Sequence, residues 1–511
     1  TKPSLIRVGY TRNYAGDVAP VNRKPLPYVF STAIIEVDFN KIPYAIGAVI
    51  DDTGWQGWDY SLPRNYTLND YQTIINVGKR AGTRIQTAWI MADLDKFGIC
   101  AKPEYNLPLA PSDMTEKGLR WKPNVSQDGI DLMEMVKNNA SYLEFGLHGV
   151  GHGHFKNGVK TNSEWADIEN GTPGNALTYG WTDMDNKAKC FLELIRQYFD
   201  SSVSSFPKSF VPPSHAYYYG DNSSESTGAL LHTYGVKYAN GDTDIGTSLG
   251  KGGIDHGVLF IDRFYGAHYN AMGATPSRYP DSNYGWVEAH FPNYWDAEDA
   301  WTDYLIGMNN NPERYLPKNT VQCSSQWLYR NYASTSIENG STVLDITNMP
   351  DDAYTYDLLG NLVLKTPLLG KHISKASIDN DAQIVGYYED TWGYGYLVIG
   401  HKENTMGRLS KTKYTLKCEL GDSYLDTYVD FGNSTYNVYS FTTEDNVSTL
   451  RVEMYGTQDI KIKLPFTPTE ITSSNPNLTI NSWSYSDSFV TINVSGKNIQ
   501  GEEGTIVISG N

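Results

Sequence analysis

Hydrophobic and polar positions change their period once along this chain. From Pro43 short apolar runs alternate with amphipathic stretches of helical period, and from about Ser334 only strand-like segments and turns remain. Tyr44–Ile50 (YAIGAVI) is nearly continuous and apolar, the pattern of a strand covered on both faces. Thr67–Ala81 places Leu68, Tyr71, Ile74, Ile75 and Val77 at helical spacing, with Gly82 as its stop. Arg84–Met91 reads as the next strand. Ser126–Asn138 reads as a helix with Ser126 as N-cap and Ile130, Met133 and Val136 on one face. The alternation continues with strands at Tyr142–Leu147, Ser209–Val211, Gly257–Arg263 and Trp286–Phe291, and helices at Asn186–Phe199, Ser224–Tyr234 and Ala297–Met308.

Such an alternation predicts an α/β domain: a mostly parallel sheet wrapped by helices, open or closed into a barrel. Beyond Ser334 the expected strands include Thr342–Ile346, Tyr354–Leu358, Leu362–Leu364, Ala382–Tyr388 and Tyr394–Ile399. A second group, from about Tyr414, includes Thr427–Phe431, Val438–Thr442, Thr449–Met454, Ile460–Leu464, Phe489–Val494 and Thr505–Ile508. Short strands at this spacing suggest β-sandwiches. The expected division is an N-terminal extension over 1–42, with strand-like Tyr28–Phe39, an α/β domain over 43–325, a β-rich domain over 334–413 and a β-sandwich over 414–511.

Length agrees with several domains, since 511 residues exceed what one core serves. A formal charge of −17 repels phosphate backbones and anionic lipid, which argues against nucleic acid and membrane surfaces as partners. No segment reaches the ~18 uninterrupted apolar residues of a membrane span. The start at Thr1, together with 38 tyrosines and 46 glycines, suggests a secreted, periplasmic or cell-surface protein trimmed at a signal-peptide boundary. Cys100, Cys190, Cys323 and Cys418 lie too far apart for a zinc ribbon; they either form up to two disulfides, in any of three pairings, or are buried thiols.

Three segments carry candidate chemistry, each just after an expected strand, where α/β ligand sites form. Asp51-Asp52-Thr53-Gly54 sets two acids behind an apolar strand. A metal would hold one and leave its neighbour as a base, although the same residues also suit a polar turn. Glu144-Phe-Gly-Leu-His148-Gly-Val-Gly-His152-Gly-His154 gathers three of the ten histidines among glycines. Those glycines argue against a helix and let the backbone fold so that two imidazoles converge; the alternative is a flexible loop. One Asp and two His suit a divalent ion such as Zn, Co, Ni or Fe, with positions left for water and substrate. Ser209-Phe-Val-Pro212-Pro213-Ser214-His215 is a proline-stiffened loop able to hold an amide toward a developing oxyanion.

Together these segments resemble the NodB-type polysaccharide deacetylases of carbohydrate esterase family 4, over roughly residues 43–310. The resemblance implies a distorted (β/α) barrel and a metal-dependent hydrolase that removes N- or O-linked acetyl groups from a polysaccharide. It implies Asp51 as general base, Asp52, His148 and His152 as ligands of a divalent ion, most simply Zn with Co or Ni as alternatives, and His154 as a spare imidazole. Gly149 stands where the family has Ser or Thr. The third family motif, Arg-x-Pro-Tyr, is reduced to Val211-Pro212-Pro213-Ser214, which keeps a proline but lacks the Arg that steadies the catalytic Asp. The Ser214 amide remains the oxyanion donor, with Pro213 lining the substrate. His290 in Val287-Glu-Ala-His290 is the expected general acid, with His268 in reserve, and Asp242 and Asp244 are remnants of the motif that supports it. Trp55, Trp58, Tyr60 and Tyr217–Tyr219 lie near the motifs as sugar-stacking candidates. Two other classes stay open: a glycan-binding protein on a deacetylase fold, or a glycoside hydrolase using acids such as Glu288 and Asp296.

Overall fold

The computed structural model describes residues 39–54, 66–90, 127–150, 163–166, 180–198, 205–219, 224–243, 252–403 and 406–511, with isolated positions between 152 and 177. The strand expected at Tyr28–Phe39, except Phe39 itself, and with it most of the 1–42 extension, lies outside them, as do Trp55, Trp58, Tyr60, His154 and Asp244.

Seven parallel strands form a closed barrel: β1 (Gly47–Thr53), β2 (Ile85–Ile90), β3 (Leu143–Gly149), β4 (Ser209–Phe210), β5 (Tyr238–Gly241), β6 (Val258–Tyr265) and β7 (Trp286–His290). Closure comes from β7, which pairs with β1 on one side and with Arg263–Tyr265 of β6 on the other. Along its first residues β6 instead pairs antiparallel with Gly252–Asp255. The barrel is therefore sealed at the end where its strands finish. Every residue of β1, β2 and β3 is buried, as expected of strands covered on both faces.

Helices wrap the outside. In α1 (Leu68–Ala81), Asp70 accepts a hydrogen bond from the Thr67 N–H at 2.8 Å, and Gly82 closes the helix in the left-handed region at φ 67°. Tyr71, Ile74, Ile75 and Val77, the face expected from the sequence, are buried. The helices α2 (Gln127–Asn138), α3 (Trp181–Tyr198), α4 (Thr227–His232) and α5 (Glu298–Gly307) fall where helical period places them, with α3 starting five residues earlier. In α2 Met133 and Val136 are buried but Ile130, expected beside them, is exposed, and Ser126 lies outside the described residues.

One further helix, α6 (Thr320–Tyr332), crosses the expected domain edge at 325. Its sequence, TVQCSSQWLYRNY, hides its period because the buried polar side chains bond to backbone rather than face water. Gln326 donates to the carbonyls of Pro43 and Val363 at 2.9 Å each and accepts from Val363 N at 3.0 Å, while Ser325 accepts from Gly360 N at 2.8 Å. Trp327 and Cys323 of this helix share one core with Val49, Ala88, Val211, Ile261 and Trp286 of the barrel and with the first β sheets. Cys323 and Cys418 are free thiols, which removes the two-disulfide alternative.

After α6 come three sheets. One has the order Ser334–Glu338, Ser341–Asp345, Lys413–Gly421, His372–Ile378; a second runs Leu362–Pro367, Tyr394–His401, Ala382–Glu389, Tyr428–Asp430, Thr457–Lys463, Phe489–Gly496, Leu478–Ser486. The third is Asn437–Glu444, Val447–Met454, Glu502–Gly510, Pro468–Ser473. The strand Lys413–Gly421 straddles residue 414 yet pairs on both sides with strands that precede it, and the seven-stranded sheet runs on across that point. Tyr354–Leu358, expected as a strand, is not one: Asp351–Thr355 is a short helix started by Pro350 with Asp351 and Asp352 in its first turn, where acids favour helix.

The β region meets the barrel at the start of its strands. The Arg84 guanidinium pairs with Glu144 at 3.3 Å, donates to Ile499 O at 2.7 Å and lies 4.0 Å over the Tyr455 ring. Ser141 donates to Tyr455 O at 2.8 Å, and Lys208 pairs with the buried carboxylate of Glu453, which also accepts from Tyr439, Tyr455 and Asn437. Burial alone would raise the Glu453 carboxyl, but Lys208 and these hydrogen bonds outweigh it and hold it at about 2. A carboxyl held below its ordinary value contributes stability above pH 4.5 that is lost as pH falls toward 2. The melting temperature is expected to drop through that window, and less steeply in Glu453→Gln; identical slopes would remove Glu453 as the acid-sensitive link.

Candidate metal centre

Asp51, Asp52, His148, His152 and His290 meet at the sealed end of the barrel, where β1, β3, β4, β6 and β7 finish. Local irregularity puts them there. Ile50 pairs with Thr87 but Thr53 with Trp89, so β1 holds one extra residue at Asp51-Asp52, and Asp52 sits at φ 54°. In a regular strand the two carboxylates would point to opposite faces; the bulge turns both toward the mouth. In β3, Leu147 pairs with Trp89 and Gly149 with Ile90, so His148 is likewise the extra residue of a bulge. His152, at φ 64°, and Ser214 and His215, at φ 52° and 59°, are further non-glycine residues in the left-handed region. Strained backbone of this kind costs on the order of 1–3 kcal/mol per residue and concentrates at functional sites.

One oxygen of Asp52, Oδ1, lies 3.2 Å from His148 Nε2 and 3.2 Å from His152 Nε2. These three buried residues offer ligand atoms all within 4.8 Å of one another and could hold a metal ion. His148 is oriented for it: its Nδ1 donates to Val211 O at 2.6 Å, leaving Nε2 turned to Asp52, the usual arrangement of a metal-binding histidine. The indole N–H of Trp165 fixes the His148 carbonyl at 2.9 Å. Burial opposes charge on both partners. It would raise the Asp52 carboxyl, but His152 and His148 hold it well below the ordinary range; it would lower His148, but Asp52 pulls that imidazole upward. The chemistry of the donor set fits a divalent ion, which would replace the protons the imidazoles otherwise need to face a carboxylate.

Gly149, where the resembled family has a hydroxyl residue, has a local cause. A Cβ there would lie 1.8 Å from Oε2 of buried Glu164, whose Oε1 accepts the Val150 N–H at 3.1 Å. The Glu164 carboxylate occupies the space a side chain at 149 would need.

Beside the donor set, Arg263 at the end of β6 grips Asp51 through both nitrogens, Nη1–Oδ1 2.8 Å and Nη2–Oδ2 2.7 Å. This bidentate pair gives Asp51 the guanidinium that the proline loop lacks. Burial raises Asp51, yet Arg263, His148 and His290 together hold it below the usual carboxylate value. In the sequence Arg263 closes an expected strand and carries no motif; its signal there is a cation ending an apolar run. Glu288 of β7 approaches Arg263 Nε at 3.0 Å, off hydrogen-bond alignment. One guanidinium offsets one carboxylate, and burial pushes Glu288 up to about 8.

His290 lies across from Asp51 in register, with Nε2 3.6 Å from Asp52 Oδ2 and Nδ1 3.9 Å from Glu288. Burial holds its imidazole below the ordinary value despite Asp51 and Asp52. The proline loop contributes more than a turn: Val211 orients His148, Pro213 is buried, and His215, next to exposed Ser214, accepts the Asp242 N–H at 3.0 Å and lies 3.2 Å from Arg263 Nη2. Burial and Arg263 lower His215 to about 3. Tyr217, suggested as a sugar-stacking ring, is instead fully buried and donates to Asp255 at 2.9 Å, because the chain turns inward toward α4. No helix of the described residues is long and apolar enough to cross a membrane. No protein-family model matches this chain, and no curated protein sequence matches it at a significant level.

Proposed function

We propose that the chain is a metal-dependent polysaccharide deacetylase of the NodB type, acting on N- or O-acetyl groups of a secreted or cell-surface glycan. The observation that carries this reading is the convergence of Asp52, His148 and His152 beside a second aspartate, Asp51, clamped by Arg263. An ion held by those three side chains, most simply Zn, would polarise the acetyl carbonyl and acidify a water. Asp51, kept ionised by Arg263, accepts a proton from the attacking water as its oxygen bonds to the acetyl carbon. As the carbon–nitrogen or carbon–oxygen bond breaks, the leaving atom takes a proton from His290. Burial favours the neutral form of that imidazole at rest, so the proton it passes on is one acquired during the reaction, with Asp51 next to it as the source. The Ser214 amide is the proposed oxyanion donor.

The test is metal analysis of the purified chain together with acetate release from acetylated chito-, xylo- and manno-oligosaccharides, before and after chelation. Bound metal, with acetate release abolished by chelation and restored by Zn, Co or Ni, is the expected result. New reducing ends without acetate would replace the reading with glycoside hydrolysis, and glycan binding without turnover with a binding protein.

A further inference from the structure

Between β6 and β7 the chain makes a long excursion that returns to the rim of the candidate metal centre; Tyr279 and Tyr284 pack inward against the barrel core, while other rings near its start stand exposed. Tyr265 is 51% exposed, Tyr269 40% and Met272 57%. Isolated exposed apolar residues are ordinary, but Tyr265 and Tyr269 meet, and exposed His268 stacks on Tyr269 at 4.4 Å between ring centroids. The Tyr269 ring meets His290 at 5.9 Å and an interplanar angle of 63°. Tyr265 follows Arg263 by two residues on β6, is in register with Glu288, and its hydroxyl accepts the Tyr269 N–H at 3.3 Å.

The excursion is fastened to the catalytic turn. Fully buried Asn293 accepts the His290 N–H at 2.8 Å and donates to the carbonyls of His268 and Ala271 at 2.9 and 2.8 Å. Gly273 N donates to Pro292 O at 3.0 Å. One buried amide thus fixes the backbone of His290 and that of the exposed rings in a single frame. Rings held exposed on a rigid support have already lost the freedom that binding would otherwise remove.

We infer that Tyr265 and Tyr269 form a sugar-stacking platform that receives a pyranose ring of the acetylated glycan next to the one whose acetyl group faces the metal centre. The inference rests on the deacetylase reading for its choice of ligand. Tyrosine suits that ligand because its ring faces take the apolar C–H side of a pyranose while its hydroxyl bonds outward. The patch, of two tyrosines and one histidine, is too small for a stable protein interface, which buries about 800 Å² per partner. Its continuity with His290 fits one strand of glycan running from the platform into the site.

Calorimetric titration of the metal-loaded full chain with hexasaccharides of acetylated chitin, xylan and mannan tests it. At least one should bind, Tyr265→Ala and Tyr269→Ala should each weaken it by about tenfold, Tyr269→Phe should retain most of the affinity, and Trp392→Ala, at an exposed aromatic of the β region, should leave it unchanged. Alanine variants that bind as well as the parent, a loss equal in Trp392→Ala, or no binding of any hexasaccharide would overturn the platform. Acetate release measured on the same samples separates the two ideas: binding that depends on the tyrosines without acetate release keeps the platform and discards the hydrolase.

Discussion

Asp51→Asn is expected to leave the chain folded and able to take up a divalent ion, while acetate release falls by about 10²–10⁴. The substitution keeps shape and volume and removes the basic oxygen together with the charge facing Arg263, so the variant should be less stable while Glu288 still faces the guanidinium. The carboxamide would still accept from one Arg263 nitrogen, but it cannot take the proton of an attacking water. The candidate ligands Asp52, His148 and His152 are untouched, so metal stoichiometry and acetate release, measured on the same preparation, should part company. Full activity in the variant would remove Asp51 as the base, and loss of metal along with activity would reassign it as a ligand.

Arg263→Met is expected to act on stability first. It leaves Asp51 and Glu288, both buried, facing each other with no cation between them, and breaking one side of a buried ion pair costs about 3–5 kcal/mol. The sign with pH follows. With the guanidinium present, Asp51 is held below its ordinary value; without it, burial raises the carboxyl, so the variant's deficit should shrink as pH is lowered and Asp51 takes up a proton, Glu288 being protonated throughout the acidic range. Urea denaturation of both chains across the acidic range reads this directly. Arg263→Lys should recover part of the stability, because charge returns without the two-pronged grip, and little of the acetate release. A deficit independent of pH would mean that Arg263 contributes packing rather than charge.

Much of the barrel was legible in the sequence because period and burial agree there. Ile74, Ile75 and Val77 sit on the buried face that their spacing predicts, and the apolar residues 47–50 fall in β1, covered on both sides, whereas Tyr44–Ala45 of the same run pairs with Arg314–Tyr315 outside the barrel. The helix α6 and the short helix Asp351–Thr355 were not legible. In the first, glutamine and serine are buried by bonding to backbone; in the second, Pro350 and two acids start a turn within residues that also suit a strand. The strand Tyr238–Gly241 offers only four residues, one of them buried Asn240, whose amide donates to Gln86 at 2.9 Å.

By itself the sequence determined which side chains are available and roughly where along the barrel they fall: Asp51, Asp52, His148, His152 and His290 each end or follow an apolar strand run, and such ends share one face of a parallel barrel. Only the tertiary structure decided how they meet. Bulges in β1 and β3 reverse the alternation that would have turned Asp52 and His148 away, and they exist because neighbouring strands fix the register on either side. The partner of Asp51 comes from Arg263, more than two hundred residues later in the chain, since barrel closure sets β6 beside β7 and β7 beside β1. Local period carries no information about such a pairing, because it depends on which strand ends are neighbours in space.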